Sequence, residues 1–206
     1  SVLIEALKND TAKVRTAGAR AFSHMEGHEA LKHLLMALED EDPWVRYFAC
    51  RSIGRIGIHD ALNALTKIAK EDKARHVRFA AIEAIGNIGG ARAVSVLSGF
   101  SNSLDEDIAK SAIGALGKVG HPDALNPLFS ALKSSNPELQ REAARALGEH
   151  GGEGVARALQ WVAATENNHT LVMASIDAIK RLKTREAAEV LIELAVDPTR
   201  RQQCIE

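Results

Sequence analysis

The sequence predicts an all-α fold built from repeated pairs of helices. Within residues 42–57, Val45, Ala49 and Ile53 share one stripe of an amphipathic helix, because they are spaced four residues apart. Equivalents of Val45 recur every 31 or 32 residues, at Val14, Val77, Ile108, Leu139 and Leu171. Aromatic residues make up only 4% of a chain that is 46% hydrophobic, so the core must consist mainly of Ala, Leu, Ile and Val. A constant period of this length indicates a repeat protein.

The period divides the whole chain. Residues 1–8 match the second helix of a repeat whose first helix is missing, and the pattern begins again after Pro198. Six full repeats lie between, at 11–41, 42–73, 74–104, 105–135, 136–167 and 168–197. We therefore expect a single solenoid domain over residues 1–206, with a partial repeat at each end, as a fragment of a longer protein. In the first full repeat, helices are predicted at 12–25 and 29–38.

Each repeat is predicted to contain a first helix, the A helix, and a second, the B helix. Three residues before the Val45-type position stand Thr11, Asp42, Ala74, Asp105, Asn136 and Asn168. Five of these six are types that cap a helix N-terminus. Glycines near the helix end, at 54, 86, 117 and 148, are expected to let neighbouring backbones approach closely. Pro127 lies near the start of a B helix, where a local kink is possible.

The composition limits the possible functions. A net charge of −1 and a pI near 6.7 argue against a dedicated, strongly basic nucleic-acid module. Two cysteines give no disulfide framework and favour a reducing compartment, hence the cytoplasm. No apolar run approaches 18 residues, so no membrane insertion is expected.

The repeat motif resembles a known family. Val45-Arg46 followed by Ile53-Gly54, and Val77-Arg78 followed by Ile85-Gly86, resemble the short bacterial HEAT-like repeats named for phycobilisome lyases. Leu116-Gly117 and Leu147-Gly148 follow the same pattern. The resemblance implies a bacterial or archaeal protein with a right-handed α–α superhelix. In that superhelix, A helices form the convex surface and B helices line the concave one.

The resemblance also implies a ladder of arginines just after the Val-type position, at Arg15, Arg46 and Arg78. These arginines are expected to meet acids such as Glu29 or Asp60. The ladder residue is replaced in the C-terminal half by Ala109, Gln140 and Val172, so the ladder is not uniform along the chain.

No catalytic, cofactor or metal site is predicted. His24, His28, Glu29 and His33 lie close in sequence, but on the repeat template their side chains diverge, whereas zinc ligands must converge on one ion. The chain also differs from deoxyhypusine hydroxylase, a di-iron enzyme built on HEAT-like repeats. That enzyme uses several His-Glu pairs, and this chain has a single His-Glu step.

The exposed rows of the A helices suggest a basic face and hence nucleic-acid binding as one alternative. The cations are Arg20, Arg51, Arg55, Lys110, Lys118, Arg141, Arg145 and Arg181, against Glu83, Glu142, Glu149 and Asp177. Mixed charged surfaces also serve solubility alone, so nucleic acid is the less favoured partner.

The preferred prediction is a non-enzymatic scaffold that holds a protein or peptide in its concave groove. The candidate partner-binding residues are Lys32, His33, Met36, Asn63, Lys67, Asn126, Ser130, Arg157 and Trp161, with Trp44 on the A helices as a further candidate. Trp161 replaces the polar residues of neighbouring repeats and is a typical interface anchor. The main alternative is an accessory, chaperone-like subunit of a bilin lyase.

Overall fold

The structure is a computed structural model that describes residues 2–25 and 27–196, and for residues 27 and 28 the backbone alone. The described residues form thirteen α-helices and no strand. None of these helices has both the length and the apolar character needed to cross a membrane. The chain divides into two compact units, unit 1 (residues 1–97) and unit 2 (98–206).

The helices alternate between the A and B types in both units. Unit 1 contains α1 (Val2–Leu7), α2 (Ala12–Ala21), α3 (Gly27–Ala37), α4 (Pro43–Ile56), α5 (Leu62–Glu71) and α6 (Arg75–Ile88). Helix α7 (Gly90–Ser101) crosses the boundary. Unit 2 contains α8 (Glu106–Lys118), α9 (Leu125–Leu132), α10 (Pro137–His150), α11 (Val155–Thr165), α12 (His169–Leu182) and α13 (Arg185–Val196). The A helices are therefore α2, α4 and α6 in unit 1 and α8, α10 and α12 in unit 2.

The all-α prediction is confirmed, with small shifts at the helix ends. In the first full repeat the A helix ends at Ala21 and continues as a 3₁₀ turn over Phe22–His24, and the B helix begins at Gly27. Pro127 lies in the first turn of α9, where a residue needs no backbone N–H, and α9 runs without interruption from Leu125 to Leu132. The expected end of the sixth repeat at 197 and the partial repeat after Pro198 lie outside the described residues.

Side-chain caps begin most of the A helices. The side chains of Asp42, Asp105, Asn136 and Asn168 each accept hydrogen bonds from backbone N–H groups of the first turn. Thr11 and Ala74 make no such bond. The A helices of repeats two, four, five and six thus begin as the sequence predicts.

Neighbouring A helices come into close contact at the glycine position that recurs among the repeats. A Cβ atom added to Gly54 would lie 2.7 Å from the Cα of Ala84 in unit 1. In unit 2, one added to Gly117 would lie 2.9 Å from the Cα of Ala146, and one added to Gly148 would lie 2.7 Å from the Cα of Ala178. Only glycine permits this approach, which confirms the prediction for these three positions.

The predicted apolar stripe forms the core, with two exceptions. Val45, Val77, Ile108 and Leu171 are buried, but Val14 is 39% exposed and Leu139 is only half-buried. Val14 is exposed because α2 packs on α1, a six-residue helix without a buried residue of its own. Leu139 is half-buried because it lines an open cleft in unit 2.

The arginine ladder exists in unit 1, but the predicted acidic partners were wrong. Arg15 Nε donates to Asp40 Oδ2 at 2.8 Å, and Arg46 Nε donates to Asp72 Oδ2 at 2.7 Å. Glu29 and Asp60 lie at the starts of B helices, near the far ends of A helices. Side chains lean toward the N-terminus of their own helix, so each arginine reaches the loops that precede the A helices.

Each ladder arginine also ties down the loop before its own helix. Arg46 Nη1 donates to the carbonyl oxygens of Asp40 at 2.8 Å and Glu41 at 3.1 Å. Asp72, in turn, accepts from the backbone N–H of Ala74 at 2.8 Å. Burial alone would raise the pKa of Asp72, but the hydrogen bonds from Arg46 and Ala74 outweigh it and leave that pKa below its ordinary value.

Candidate protein-binding surfaces

The B helices of unit 1 expose most of the predicted binding residues. Lys32 and Met36 on α3 are exposed, and so are Asn63 and Lys67 on α5. His33 is half-buried, with its ring 5.7 Å from the ring of Phe22. His33 therefore belongs in part to the core of unit 1, and the other four are accessible to a partner.

The B helices of unit 2 expose the largest apolar side chain of the predicted set. Trp161 on α11 is 61% exposed. Asn126 and Ser130 on α9 and Arg157 on α11 are exposed as well. Ser130 precedes Trp161 by 31 residues, so the two hold the same position in successive repeats. The indole of Trp161 thus occupies a position where the preceding repeat has the small hydroxyl side chain of Ser130.

Arg157 belongs to a polar cluster close to Trp161 in the chain. Its Nη1 donates to Glu193 Oε2 at 2.7 Å and to Gln160 Oε1 at 3.0 Å. Gln160 Nε2 also donates to Glu193 Oε2. Hydrogen bonds from Gln160 and Arg157 hold the pKa of Glu193 below its ordinary value. The guanidinium is therefore held beside Glu193, a contact that only the structure reveals.

A cleft of about 410 Å³ opens in unit 2 beside Ser130. The last turn of α7 and helices α8, α9 and α10 contribute its lining residues: Ser98, Ser101, Asn102, Ile113, Pro127, Ser130, Ala131, Lys133, Ser134 and Leu139. Several of its polar groups are already engaged, since Ser101 donates to the carbonyl oxygen of Ser98 and Ser134 accepts from the N–H of Asn136. The cleft gives the B helices of unit 2 a concave feature next to Ser130.

Trp44 lies on an A helix and not with the other candidates. It is 53% exposed, and its ring lies 4.7 Å from that of His76 and 5.5 Å from that of Tyr47. Because His76 belongs to α6, the indole both joins two neighbouring A helices and presents an aromatic surface to solvent.

The predicted basic face carries exposed arginines in unit 1, whereas ion pairs neutralise it in unit 2. Glu138 accepts from Lys110 at 3.4 Å and also from Arg141, and Arg145 pairs with Glu142 and with Glu149 at 3.0 Å. Spacings of three and four residues within α10 allow these pairs. The predicted basic row includes Arg141 and Arg145 and omits Glu138, so the prediction is wrong for unit 2.

Metal-ligating side chains do not converge in the part of the chain that the structure describes. There, no three His, Cys, Asp or Glu residues are grouped closely enough to hold an ion. His24 is exposed on the 3₁₀ turn and His33 packs on Phe22, while the side chain of His28 lies outside the described residues.

Paired helices repeated at 31–32 residues, with backbone contacts between successive A helices, define an all-α superhelical repeat protein. The family model for HEAT repeats matches residues 31–108 and 97–180. The chain belongs to this family, and the resemblance read from the motifs is confirmed.

Known structures share the fold at low sequence identity. The complex of CpcE and CpcF of phycocyanin lyase from Nostoc sp. PCC7120 matches at 21% identity, with 92% of this chain and 79% of that chain covered and a TM-score of 0.60. YIBA of E. coli matches at 18% identity, with coverages of 100% and 78% and a TM-score of 0.58. A designed armadillo repeat protein in complex with the peptide (KR)4 matches at 17% identity, with coverages of 99% and 95% and a TM-score of 0.52. No curated protein sequence matches this chain significantly.

Proposed function

We propose that this chain is a non-enzymatic scaffold that binds a protein or peptide partner along the exposed residues of its B helices. The observation that carries the proposal is Trp161, which is 61% exposed at a position where the preceding repeat has Ser130. Exposing an indole to water is unfavourable, and burying it against a partner recovers that free energy. Tryptophan is also among the residue types that dominate interface energies.

The surroundings of Trp161 support a protein or peptide as the ligand. Arg157, Gln160 and Glu193 form a hydrogen-bonded polar cluster with exposed side chains of both charges. An apolar anchor with a polar rim is the usual anatomy of a protein interface.

We further propose a location in the reducing cytoplasm, because the two cysteines of the sequence give no disulfide framework. Burial raises the pKa of the free Cys50 thiol to about 12, which keeps that thiol unreactive.

The test is a comparison of two variants at the same repeat position. Partners captured from an extract of the source organism with the full chain would be identified, purified and titrated against each variant. We expect Trp161→Ala to weaken the affinity at least about tenfold, because truncating an interface Trp commonly costs 2 kcal/mol or more. Ser130→Ala, the matched control, should change the affinity less than about threefold. Equal affinities for the Trp161→Ala variant and the unaltered protein would contradict the proposal.

A bilin lyase subunit is the alternative that the fold suggests. One structural neighbour is a complex of two phycocyanin lyase proteins, and at 21% identity it supports the shared fold alone. Mixing this protein with a free bilin and a phycobiliprotein subunit, and recording the visible absorbance, separates the two functions. A scaffold leaves the bilin spectrum unchanged, whereas a lyase subunit shifts it.

A further inference from the structure

The A helices of unit 1 carry a surface that the proposed B-helix function does not use. We call it the aromatic–arginine patch; it consists of Trp44, Tyr47, Phe48, His76 and Phe79 with Arg20, Arg51 and Arg75. The guanidinium carbon of Arg51 lies 5.9 Å from the centre of the Tyr47 ring, and Arg51 also donates to the Tyr47 hydroxyl at 3.2 Å. Arg20 lies 5.9 Å from the Phe48 ring, and Arg75 lies 5.3 Å from the Phe79 ring. The arginines thus lie over aromatic rings of α4 and α6, and Trp44, Tyr47, Phe48 and His76 contact one another.

The patch is strongly positive. The exposed charged residues of α2, α4 and α6 are Lys13, Arg20, Arg51, Arg55, Arg75 and Glu83, five cations against one carboxylate. Nearby Asp40 and Asp72 pair with Arg15 and Arg46 of the ladder, and Asp42 caps α4. These three carboxylates are therefore engaged, and on the helices themselves the five exposed cations outnumber the single exposed carboxylate.

The repeat itself does not require these aromatic residues. The positions of Trp44 and His76 are held in unit 2 by Asp107 and Glu138, and those of Tyr47 and Phe79 by Lys110 and Arg141. In unit 2 the same positions form the Lys110–Glu138–Arg141 ion-pair cluster. Salt bridges are sufficient for the fold at these positions in unit 2, so the fold alone does not explain the aromatic rings of unit 1.

We propose that the aromatic–arginine patch docks an acidic segment of a partner protein, in which carboxylates are interspersed with aromatic or aliphatic side chains. Guanidinium groups bind carboxylates through paired hydrogen bonds, and Arg, Trp and Tyr are the types that dominate interface energies. Positive surface potential also steers an acidic segment toward the patch.

The ring geometry favours a protein segment over single-stranded nucleic acid. Base stacking requires an open aromatic face. The Trp44 ring is already stacked at 33° to His76, and Tyr47 meets Trp44 and Phe48 edge to face at 75° and 87°. Neighbouring rings thus occupy part of the aromatic surface of Trp44 and Tyr47, which leaves less open face for bases, and the arginines beside the rings suit carboxylates.

The test uses the full chain with Trp161→Phe, which leaves Trp44 as the sole tryptophan of the sequence. The probe is a fluorescently labelled synthetic peptide rich in Glu with interspersed Phe. Its counterpart carries Lys in place of Glu, and a single-stranded oligothymidine represents nucleic acid. We expect the Glu peptide to bind and to change the Trp44 emission, and we expect the Lys peptide to do neither.

Variants in the same background locate the site. Arg20→Ala with Arg51→Ala should weaken Glu-peptide binding at least about tenfold, and Trp44→Ala should do the same by the anisotropy of the label. The matched control, Arg141→Ala with Arg181→Ala on the A helices of unit 2, should leave binding within about twofold. Three results would overturn the proposal: no binding of the Glu peptide, equal losses in both units, or tighter binding of oligothymidine than of the Glu peptide at the same salt. Every variant lacks Trp161, so a failure to bind the Glu peptide would contradict the patch proposal and leave the proposal about the B helices unaffected.

Discussion

The A helices of the two units share one backbone pattern and differ in how they use their charges. Helices α2, α4 and α6 carry eight Lys and Arg residues and a single carboxylate, Glu83, whereas α8, α10 and α12 carry six of each sign. The close glycine contacts occur in both units. The close backbone approach of successive A helices is therefore independent of the surface charge, which differs between the two units.

The same contrast extends to the loops that precede the A helices. In unit 1, Arg46 closes on Asp72 and on two loop carbonyls. In unit 2 the ladder positions hold Ala109 and Gln140, and Ser134 stands where Asp40 and Asp72 stand in unit 1. Ser134 still accepts the backbone N–H of Asn136, as Asp40 accepts that of Asp42. The loop turn is retained without the ion pair.

The largest expected effect comes from breaking the ladder of unit 1. The side chain of Asp72 is only 3% exposed, and Arg46→Ala leaves this carboxylate buried without its cation. Removing one partner of a buried pair commonly costs about 3–5 kcal/mol. We expect Arg46→Ala to lower the free energy of unfolding by about that amount, as measured by urea denaturation.

The control and the pH dependence test the same contact. Arg185→Ala in unit 2 removes a cation that is 93% exposed and pairs, among the described residues, only with the exposed Glu189, so it should cost no more than about 1 kcal/mol. The native pKa of Asp72 is lowered, so its contribution is complete above the ordinary carboxyl value of 3.8 and is lost as the pH falls through the native value. Arg46→Ala should therefore destabilise the protein much less in strong acid than at neutral pH. A loss of the same size at both pH values would show that the buried ion pair is not its cause.

The next effect tests the feature that the units share. Gly54→Ala in unit 1 and Gly117→Ala in unit 2 each force a methyl group against the backbone of the next A helix. Overpacking of this kind costs about 1–3 kcal/mol, and we expect similar losses in both units by urea denaturation. Gly99→Ala is the control, because a Cβ atom there meets nothing within 4 Å. That change should stabilise the protein by about 0.4–1 kcal/mol. If Gly54→Ala and Gly117→Ala stabilise the protein as Gly99→Ala does, the gain in helix propensity outweighs the close approach and the prediction is wrong.

Sequence periodicity predicted the helices, most of the caps and the close glycine contacts, because these recur at fixed positions of the repeat. It failed for polar side chains that meet although they are far apart along the chain. The partners of Arg15 and Arg46 lie 25 and 26 residues further along the chain, and only the packing of successive loops shows that Asp40 and Asp72 reach them. The pairing of Glu138 with Arg141 was readable in advance from their spacing of three residues.

The candidate site was predicted less fully than the fold. Exposure of Trp161 and Trp44 followed from their positions in otherwise polar rows, and the structure agrees. No sequence pattern indicates that His33 packs on Phe22 or that Arg157 is held by Glu193. The aromatic–arginine patch was predictable from the sequence, because half of the eight Phe, Trp and Tyr residues lie between 44 and 79.

The smallest expected effect comes from restoring the ladder in unit 2. Glu166 follows Gln140 by 26 residues, the same separation as that of Asp72 from Arg46. Gln140→Arg therefore places a guanidinium where an acid already occupies the partner position. Gln140 is half-buried, so the gain from a new ion pair is partly offset by desolvation, and a net stabilisation of up to about 1 kcal/mol is expected. Gln140→Met, which supplies similar length without charge, should fall short of that gain in the same urea titration. If the Arg and Met variants are equally stable, the ladder of unit 1 depends on the geometry of aspartate and its loop, and an acid at the right separation is not sufficient.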